Sequence, residues 1–149
     1  MRVASFAIRP ANTAQFVVFK SGWYDPEVTD GNGVEWQWSK KQGTLSFRNP
    51  KRDTLVLIQL DQPAKAFQEP QQVEIRAGQA VVDSFPLLAG HQELRRISLT
   101  PQQMGGEDSV ELAVAVEKTF VPASIPQLKS ADSRDLGVRV FHVFVEPKQ

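Results

Sequence analysis

The chain has 149 residues, a length that suits one compact domain over residues 1–149 with a single hydrophobic core. Its 17 Lys and Arg balance 17 Asp and Glu, and this zero net charge argues against a nucleic-acid partner. The absence of cysteine excludes disulfide bonds, thiolate zinc sites and a cysteine nucleophile.

The first residues, MRVASFAIRPANTAQFVVF, lack the apolar run of a signal peptide because Arg9 and Asn12 interrupt it. No segment approaches the roughly 20 consecutive apolar residues of a membrane span. We therefore expect no membrane insertion and, by default, a cytoplasmic location. Because a zero net charge does not oppose association, a homo-oligomer or a protein partner is compatible with the composition.

Short strands are predicted along the first half of the chain, beginning with QFVVF and GTLSF. TLVLIQL, from Thr54 to Leu60, is apolar on both faces, which predicts an interior strand whose outer face is also covered. In VEIRA, Glu74 and Arg76 alternate with apolar residues, and Gly78 suits the positive φ of a hairpin turn before AVVDSF.

The second half continues the pattern with the strand RRISLT and one short helix, TPQQM, which Thr100 can cap and Pro101 can begin. VELAVAV places four apolar side chains on one face: Val110, Leu112, Val114 and Val116. FVPASIPQLKSADSRD is expected to cross between sheets as a long loop. GVRVFHVFVE predicts a long strand whose alternation slips near Val140 and Phe141, which indicates either a bulge or burial on both faces.

Short strands separated by Pro- and Gly-containing turns, without an apolar 3.6-residue period, indicate an all-β protein. The sequence therefore predicts an antiparallel β-sandwich, jelly-roll-like, with at most short helical turns.

All three tryptophans and the only tyrosine flank one loop, in SGWYDPEVTDGNGVEWQWS. Trp36 and Trp38 are two apart and share one strand face, and we expect both in the core. Trp23 and Tyr24 are adjacent and point to opposite faces, so we expect one of these two rings to be exposed. Rings beside carboxylates and amides suit a sugar, and the candidate ligand-binding residues are Trp23, Tyr24, Glu27, Asp30 and Asn32.

Metal binding by the same loop is a weaker alternative. Asp25, Glu27, Asp30 and Asn32 offer oxygen ligands beside glycines, as calcium requires, but their spacing does not fit an EF-hand. A solvated hairpin turn explains Asp-Gly-Asn-Gly equally well. We therefore predict no cofactor, with calcium as the alternative.

Catalysis has little support in the sequence. His91 lies in a turn, His142 alternates within an apolar strand, and no nucleophile elbow, phosphate-binding loop or metalloprotease motif is present. A hydrolase would need two close carboxylates, for which Glu27 and Asp30 are the nearest pair. We expect a protein without enzymatic activity.

A compact charge cluster, Asp132, Arg134 and Asp135, precedes the last strand. A bidentate pair between arginine and a carboxylate would fix this loop, with Gly137 allowing a close backbone approach or a bulge. If the loop lies beside the aromatic stretch, the two would form one rim.

The two segments together resemble bacterial β-sandwich accessory modules associated with cell-surface polysaccharide and glycosyltransferase-type membrane proteins. The matching residues are Gly22, Trp23, Tyr24, Glu27, Trp36, Trp38, Asp132, Arg134, Leu136, Gly137 and Val138. The resemblance implies a jelly-roll-like sandwich with a glycan-related, non-catalytic role, and it implies no catalytic residues. This sequence departs from the pattern in having no attached membrane segment.

The leading hypothesis is a non-enzymatic β-sandwich accessory or binding module with carbohydrate as its ligand. The alternative is a protein-interaction or assembly module, in which an exposed sheet edge pairs with another chain and the aromatic cluster belongs to the core.

Overall fold

Two five-stranded antiparallel sheets pack face to face in this computed structural model, which describes residues 16–29, 31, 33–63 and 65–148. Sheet I has the strand order β1-β4-β9-β6-β7, and sheet II has the order β2-β3-β10-β5-β8. The strands are β1 (Val17–Phe19), β2 (Glu27–Val28), β3 (Glu35–Trp38), β4 (Gln42–Arg48), β5 (Thr54–Asp61), β6 (Gln71–Ala77), β7 (Ala80–Leu87), β8 (Gln92–Leu99), β9 (Ser109–Val116) and β10 (Arg139–Pro147).

Most connections between consecutive strands cross from one sheet to the other. Two hairpins, β2–β3 and β6–β7, stay within one sheet, and the other connections between described strands cross to the opposite sheet. The helices of the described residues are α1 (Pro101–Met104) and two single 3-10 turns, Pro122–Ser124 and Pro126–Leu128. The prediction of a jelly-roll-like β-sandwich with short helical turns is therefore confirmed. None of these helices has the length and apolar character needed to cross a membrane.

Apolar side chains at every second position of the strands fill the space between the two sheets. In β9, the four predicted residues from Val110 to Val116 are buried, and Glu111 is exposed. Leu45 and Leu112 of sheet I and Ile58 of sheet II are fully buried in the same core. Burial of each such side chain stabilises the fold by about 1.5–3 kcal/mol.

Two local predictions from turn chemistry are also confirmed. Thr100 caps α1: its Oγ1 accepts a hydrogen bond from the Gln103 amide at 3.2 Å, and the Gln103 side chain accepts one from the Thr100 amide at 2.9 Å. Gly78 has a φ of +61° in the turn between β6 and β7. The start of α1 and the turn between β6 and β7 are therefore determined by the residues of these segments themselves.

The strands β5 and β10 lie side by side inside sheet II. β5 is the predicted interior strand, but its outer face is not covered as expected: Leu55 and Leu57 are only half-buried, because no layer packs over this part of sheet II in the described chain. Of the two alternatives for β10, the structure has the bulge: its register with β5 shifts between Val140 and His142 and leaves Phe141 as the extra residue.

Candidate functional site

The aromatic stretch of residues 21–39 builds a second apolar cluster, apart from the core between the sheets. Val140 points into the main core, so Arg139, the residue before it, points to the outer face of sheet II. Trp38 pairs with Arg139 across the strands and lies on this outer face. Buried Trp38, Phe120 and Leu136 form the centre of the cluster, and half-buried Tyr24, Trp36, Ala66, Phe67, Ile125 and Leu128 surround it.

Of the two tryptophans on β3, only Trp38 is buried. It is 8% exposed, and its ring packs edge-on against Phe120 with the centroids 5.8 Å apart. Trp36 is half-buried, so the expectation that both rings lie in the core is wrong for Trp36. Its neighbour on one side is the two-residue edge strand β2, which is too short to cover the ring. The Trp36 indole N–H is buried without a hydrogen-bond partner in the described part of the chain.

Trp23 packs against the main core. Its indole N–H donates to the Thr44 carbonyl at 2.9 Å, and its ring meets Phe19 edge-to-face at 4.8 Å. A Cβ added to Gly43 would lie 2.5 Å from the Trp23 ring, so the sheet and the ring are in close contact. Packing accounts for this residue without a ligand.

Tyr24 points the other way, as the alternation predicts, and packs against the second cluster. Its hydroxyl donates to the Asp135 carbonyl at 2.9 Å. Two cations lie near its ring, with Arg134 at 5.2 Å and Lys40 at 5.3 Å from the centroid. Because Tyr24 and Trp23 are both half-buried, the expectation of one exposed ring in this pair is wrong.

Arg134 joins the two predicted segments. Its guanidinium makes a bidentate contact with Asp132, at 3.0 Å from Nε to Oδ1 and 2.8 Å from Nη2 to Oδ2. Its Nη1 donates to Glu27 at 2.8 Å. The hydrogen bond to Asp132 raises the pKa of Arg134, and the same bond holds the pKa of Asp132 below its usual range against the opposing effect of burial. We call Tyr24, Glu27, Asp132 and Arg134 the Arg134 rim. The bidentate pair is as predicted, and the loop lies beside the aromatic stretch, which was the condition for a common rim.

The predicted ligand-binding residues are therefore not all together. Tyr24 and Glu27 meet on the Arg134 rim, whereas Trp23 lies on the main core. Asp30 and Asn32 lie outside the described residues. Since Tyr24 and Glu27 already have protein partners, a ligand there would have to compete with the rim's own contacts, and their role in binding stays a prediction.

The calcium alternative also stays a prediction. Among the described residues, no group of three or more His, Asp and Glu side chains could hold a metal ion. Glu27 is engaged by Arg134, which occupies one of its carboxylate oxygens.

A different set of rings lies open to solvent on the outer face of sheet II. Val145 is buried in the core, so Phe144 beside it points outward and is 56% exposed. His142 is exposed on the same face, and its ring is stacked with that of Phe144 at a centroid distance of 6.0 Å and an interplanar angle of 27°. These rings offer an apolar surface without any rearrangement of the fold.

Two glutamine side chains border the rings. Gln59 lies directly opposite His142 across the strands, and its amide donates to the Gln92 side chain at 2.8 Å. The Gln59 oxygen and the Gln92 nitrogen have no further hydrogen-bond partner in the structure's described ranges. Leu94, 52% exposed, lies opposite Gln59 on the other side. We call Gln59, Gln92, Leu94, His142 and Phe144 the β10 platform.

The platform continues toward the second cluster through larger rings. Phe141 lies 6.3 Å from Trp36, and the Arg139 guanidinium lies 4.8 Å from the Trp36 centroid and 5.1 Å from that of Phe141. Arg139 is held in place by Asp61 through two hydrogen bonds of 2.8 Å. The outer face of sheet II thus carries a row of rings with a fixed cation beside it.

The platform was missed in the sequence although its pattern is visible there. Alternation in GVRVFHVFVE places His142 and Phe144 on one face, but period two does not distinguish an open outer face from a covered one. Because the outer face near β5 was expected to be covered, His142 and Phe144 were not predicted to form an exposed site. Chemically, exposed rings with amide donors and acceptors beside them are suited to binding a polar, hydroxyl-rich ligand.

Solved structures share this fold at low sequence identity. A family GH115 4-O-methyl-α-glucuronidase with specificity for decorated arabinogalactans matches at 17% identity and a TM-score of 0.50, over 88% of this chain and 17% of that chain. An adhesin domain of Lys-gingipain from Porphyromonas gingivalis matches at 9% identity and 0.49, over 94% and 93%. A carbohydrate-binding module from Cellvibrio mixtus lichenase 5A, in complex with cellotriose, matches at 12% identity and 0.46, over 87% and 89%.

The chain thus spans about a sixth of the glucuronidase, and the low identity supports a shared fold alone. No family model and no curated relative matches the sequence.

Proposed function

We propose that this chain is a non-enzymatic β-sandwich accessory module that binds carbohydrate on the β10 platform. The observation that carries the proposal is the stacked, solvent-exposed pair His142 and Phe144 beside the amide pair Gln59 and Gln92. Rings pack against the C–H faces of a sugar, and free amide atoms donate to or accept from its hydroxyls.

The shape of the platform favours a chain over a small enclosed ligand. The rings stand on a sheet face, and neighbouring outward residues along β10 repeat about every 7 Å. A site of this kind contacts an extended polymer along its length and leaves both ends of the polymer free. Carbohydrate binding near cell-surface polysaccharide, as the resemblance implies, belongs to the same proposal.

A protein partner is the other class of ligand for this face, because Phe144 and Leu94 are exposed apolar side chains. The free amide atoms of Gln59 and Gln92 on the same face favour a hydroxylated ligand instead, since an apolar partner surface would bury these atoms without hydrogen bonds. A protein partner is therefore an outcome of the test.

Affinity electrophoresis through gels that contain polysaccharide tests the proposal. Decorated arabinogalactan, for which the glucuronidase that matches this fold over 17% of its chain is specific, is the first probe, followed by β-glucans and xylans. Migration of the wild-type protein should be retarded by at least one polysaccharide, and Phe144→Ala should lose at least about tenfold in affinity, or about 1.4 kcal/mol. No retardation across the panel, together with a stable dimer in solution, would favour the protein partner and refute the proposal.

A further inference from the structure

Arg139 has hydrogen-bond donors that the fold does not use, on the outer face of sheet II. A planar guanidinium can hold one carboxylate on Nε and Nη2 and still donate from Nη1. Asp61 takes Nε and Nη2 of Arg139, each at 2.8 Å. Nη1 makes no hydrogen bond within the described part of the chain and is in contact with solvent, and the side chain is 19% exposed. Nη1 is therefore free to donate to a ligand.

Arg134 shows how this chain uses the same group elsewhere. Its Nε and Nη2 hold Asp132, as those of Arg139 hold Asp61. Its Nη1 donates to a second carboxylate, that of Glu27, at 2.8 Å. A guanidinium that already holds an aspartate thus accepts a second carboxylate in this fold.

Arg95 repeats the arrangement between the two sheets. Its Nε and Nη2 donate to Asp83 at 2.8 and 2.9 Å, and its Nη1 donates to Glu93 at 3.0 Å. Arg139 holds its aspartate on the same two nitrogens, but no carboxylate of the described residues lies on its Nη1. The comparison indicates that a carboxylate is the group that suits this nitrogen.

The position of Arg139 makes it a neighbour of the β10 platform. Arg139 lies opposite Asp61 across the strands, and Gln92 of the platform lies opposite Asp61 on the other side. Gln59, which lies opposite His142, precedes Asp61 by two positions, so the Arg139 pair lies about 7 Å further along the sheet. A polymer that packs on the platform rings therefore reaches Arg139 with a neighbouring sugar unit.

The charges on this part of sheet II favour an acidic ligand. The carboxylates here, Asp61 and Glu27, are each paired with an arginine. Arg96 is exposed, lies opposite Leu57 of the same outer face, and has no ion-pair partner among the residues that the structure describes. Positive charge therefore exceeds negative charge beside the platform, and it attracts an anion.

We infer that Arg139 binds the carboxylate of an acidic sugar, so that the glycan on the β10 platform contains uronic acid residues. The sugar carboxylate accepts from Nη1, in the way that Glu27 accepts from Arg134. Trp36 and Phe141, with centroids 4.8 and 5.1 Å from the guanidinium, offer rings to the same sugar. The inference rests on the proposed function, and it makes Arg139 the residue that selects acidic over neutral polysaccharide.

Matched polysaccharides test the inference on the wild-type protein. Glucuronoxylan, polygalacturonate and alginate are each cast into affinity gels before and after reduction of their carboxylates to alcohols, at one salt concentration. At least one carboxylated polymer should bind at least about tenfold more tightly than its reduced form. Equal retardation by the two forms of every polymer would overturn the inference and leave the proposed function in place. No retardation by any form would also overturn it, and the neutral polysaccharides would then decide the proposed function separately.

Arg139→Lys keeps the positive charge beside Asp61 and removes the guanidinium. It should abolish the preference for the carboxylated polymer, while binding of the reduced polymer stays nearly unchanged. Arg76→Lys is the matched control, because Arg76 also holds a carboxylate, Glu74, on Nε and Nη2, but on sheet I. It should change neither affinity. A preference that survives in Arg139→Lys would place the carboxylate elsewhere and overturn the inference.

A spectroscopic measurement decides the case in which Arg139→Lys fails to fold. The Nε–H signal of Arg139 in ¹H–¹⁵N spectra of the wild type should shift during titration with oligosaccharides of the carboxylated polymer. Oligosaccharides of the reduced polymer should leave it in place. A signal that does not move at saturating acidic oligosaccharide would overturn the inference.

Phe144→Ala separates this result from the proposed function. Binding of the carboxylated polymer that depends on Arg139 but not on Phe144 would support the carboxylate site and refute the platform. Retardation that depends on Phe144, with equal affinity for the carboxylated and reduced forms, would refute the role of Arg139 and leave the platform in place.

Discussion

Arg134 donates a 2.8 Å hydrogen bond to Glu27, a residue 107 positions earlier in the chain. This contact ties the loop before β10 to the edge strand β2, and Asp132 holds the arginine from the other side. Tyr24 lies beneath the guanidinium and donates its hydroxyl to the backbone of the same loop. The aromatic stretch, which holds the predicted ligand-binding residues, is therefore linked to the loop before β10 by charges and a ring of the two segments themselves.

Replacement of Arg134 should destabilise the fold. Arg134→Met leaves Asp132 and Glu27 without their partner, and we expect a loss of about 1–2 kcal/mol in the free energy of unfolding, since the side chains are about one-third exposed. Urea denaturation measures this loss. Arg76→Met is the matched control, because Arg76 pairs with Glu74 within one exposed strand face and should change stability by less than about 0.5 kcal/mol. Equal effects of the two variants would show that the rim does not stabilise the loop.

The rim should also make stability depend on pH. The pKa of Asp132 is lowered in the folded state by Arg134, so unfolding takes up a proton in the acid range and stability falls as pH decreases. Asp132→Asn removes this carboxylate. The difference in unfolding free energy between wild type and variant should have its full size above about pH 5. It should become smaller as pH falls below about 3.9, the pKa of an aspartate in the unfolded chain. A difference that is constant from pH 6 to pH 2 would contradict the assignment.

Gly137 should not tolerate a side chain. A Cβ at this position would lie 2.5 Å from the Lys40 carbonyl and closer still to the Ser39 hydroxyl, and both neighbours belong to the adjacent chain segment. Overpacking of this kind costs about 1–3 kcal/mol, so Gly137→Ala should lower the thermal midpoint clearly. Gly106→Ala, where a Cβ meets nothing within 4 Å, should leave the midpoint nearly unchanged. Equal midpoints for the two variants would contradict the close approach.

Trp23 should behave as a packing residue. Trp23→Ala removes the contact with Phe19 and the hydrogen bond to Thr44, and we expect a loss of about 2–4 kcal/mol because the ring is half-buried. Thermal unfolding measures stability, and gel retardation by polysaccharide measures binding of the folded fraction. A stable variant that no longer binds polysaccharide would instead place Trp23 in the binding site, as the sequence predicted.

The fold was predictable where neighbouring residues decide the structure. The alternation in VELAVAV, the turn at Gly78, the cap at Thr100 and the bulge before His142 follow from local backbone and side-chain chemistry. The bidentate pair between Arg134 and Asp132 was also expected from the sequence, because the two residues are two apart in one loop, whereas the link from Arg134 to the distant Glu27 is visible only in the fold.

The candidate sites were harder to predict because they depend on what covers a surface. Phe144 and Leu57 belong to apolar runs that are equally compatible with a buried and an open outer face. The burial of Gln62 depends on two connections that are distant in sequence and meet at its bridge with Ala89, and nothing in DQPAKAFQEP alone shows that the Gln62 amide is buried without hydrogen-bond partners among the described residues. Exposure and hydrogen-bond satisfaction are properties of the folded chain.

A stability control supports the interpretation of every binding experiment on the platform. Phe144→Ala truncates a side chain that is 56% exposed, so its free energy of unfolding should change by less than about 1 kcal/mol. Val18→Ala is the matched control on sheet I, where Val18 is 55% exposed, and it should alter neither stability nor binding. A large loss of stability in Phe144→Ala would show that the ring packs in the fold and would remove it from the platform.

The most direct test of carbohydrate binding is a map of backbone amide shifts in ¹H–¹⁵N spectra. The titrant is an oligosaccharide prepared from the polysaccharide that retards the protein most strongly. The account predicts that the largest shifts fall on Gln59, Gln92, His142 and Phe144, and that Phe144→Ala removes them. Shifts confined to Tyr24 and Glu27, or none at saturating oligosaccharide, would contradict binding at the β10 platform.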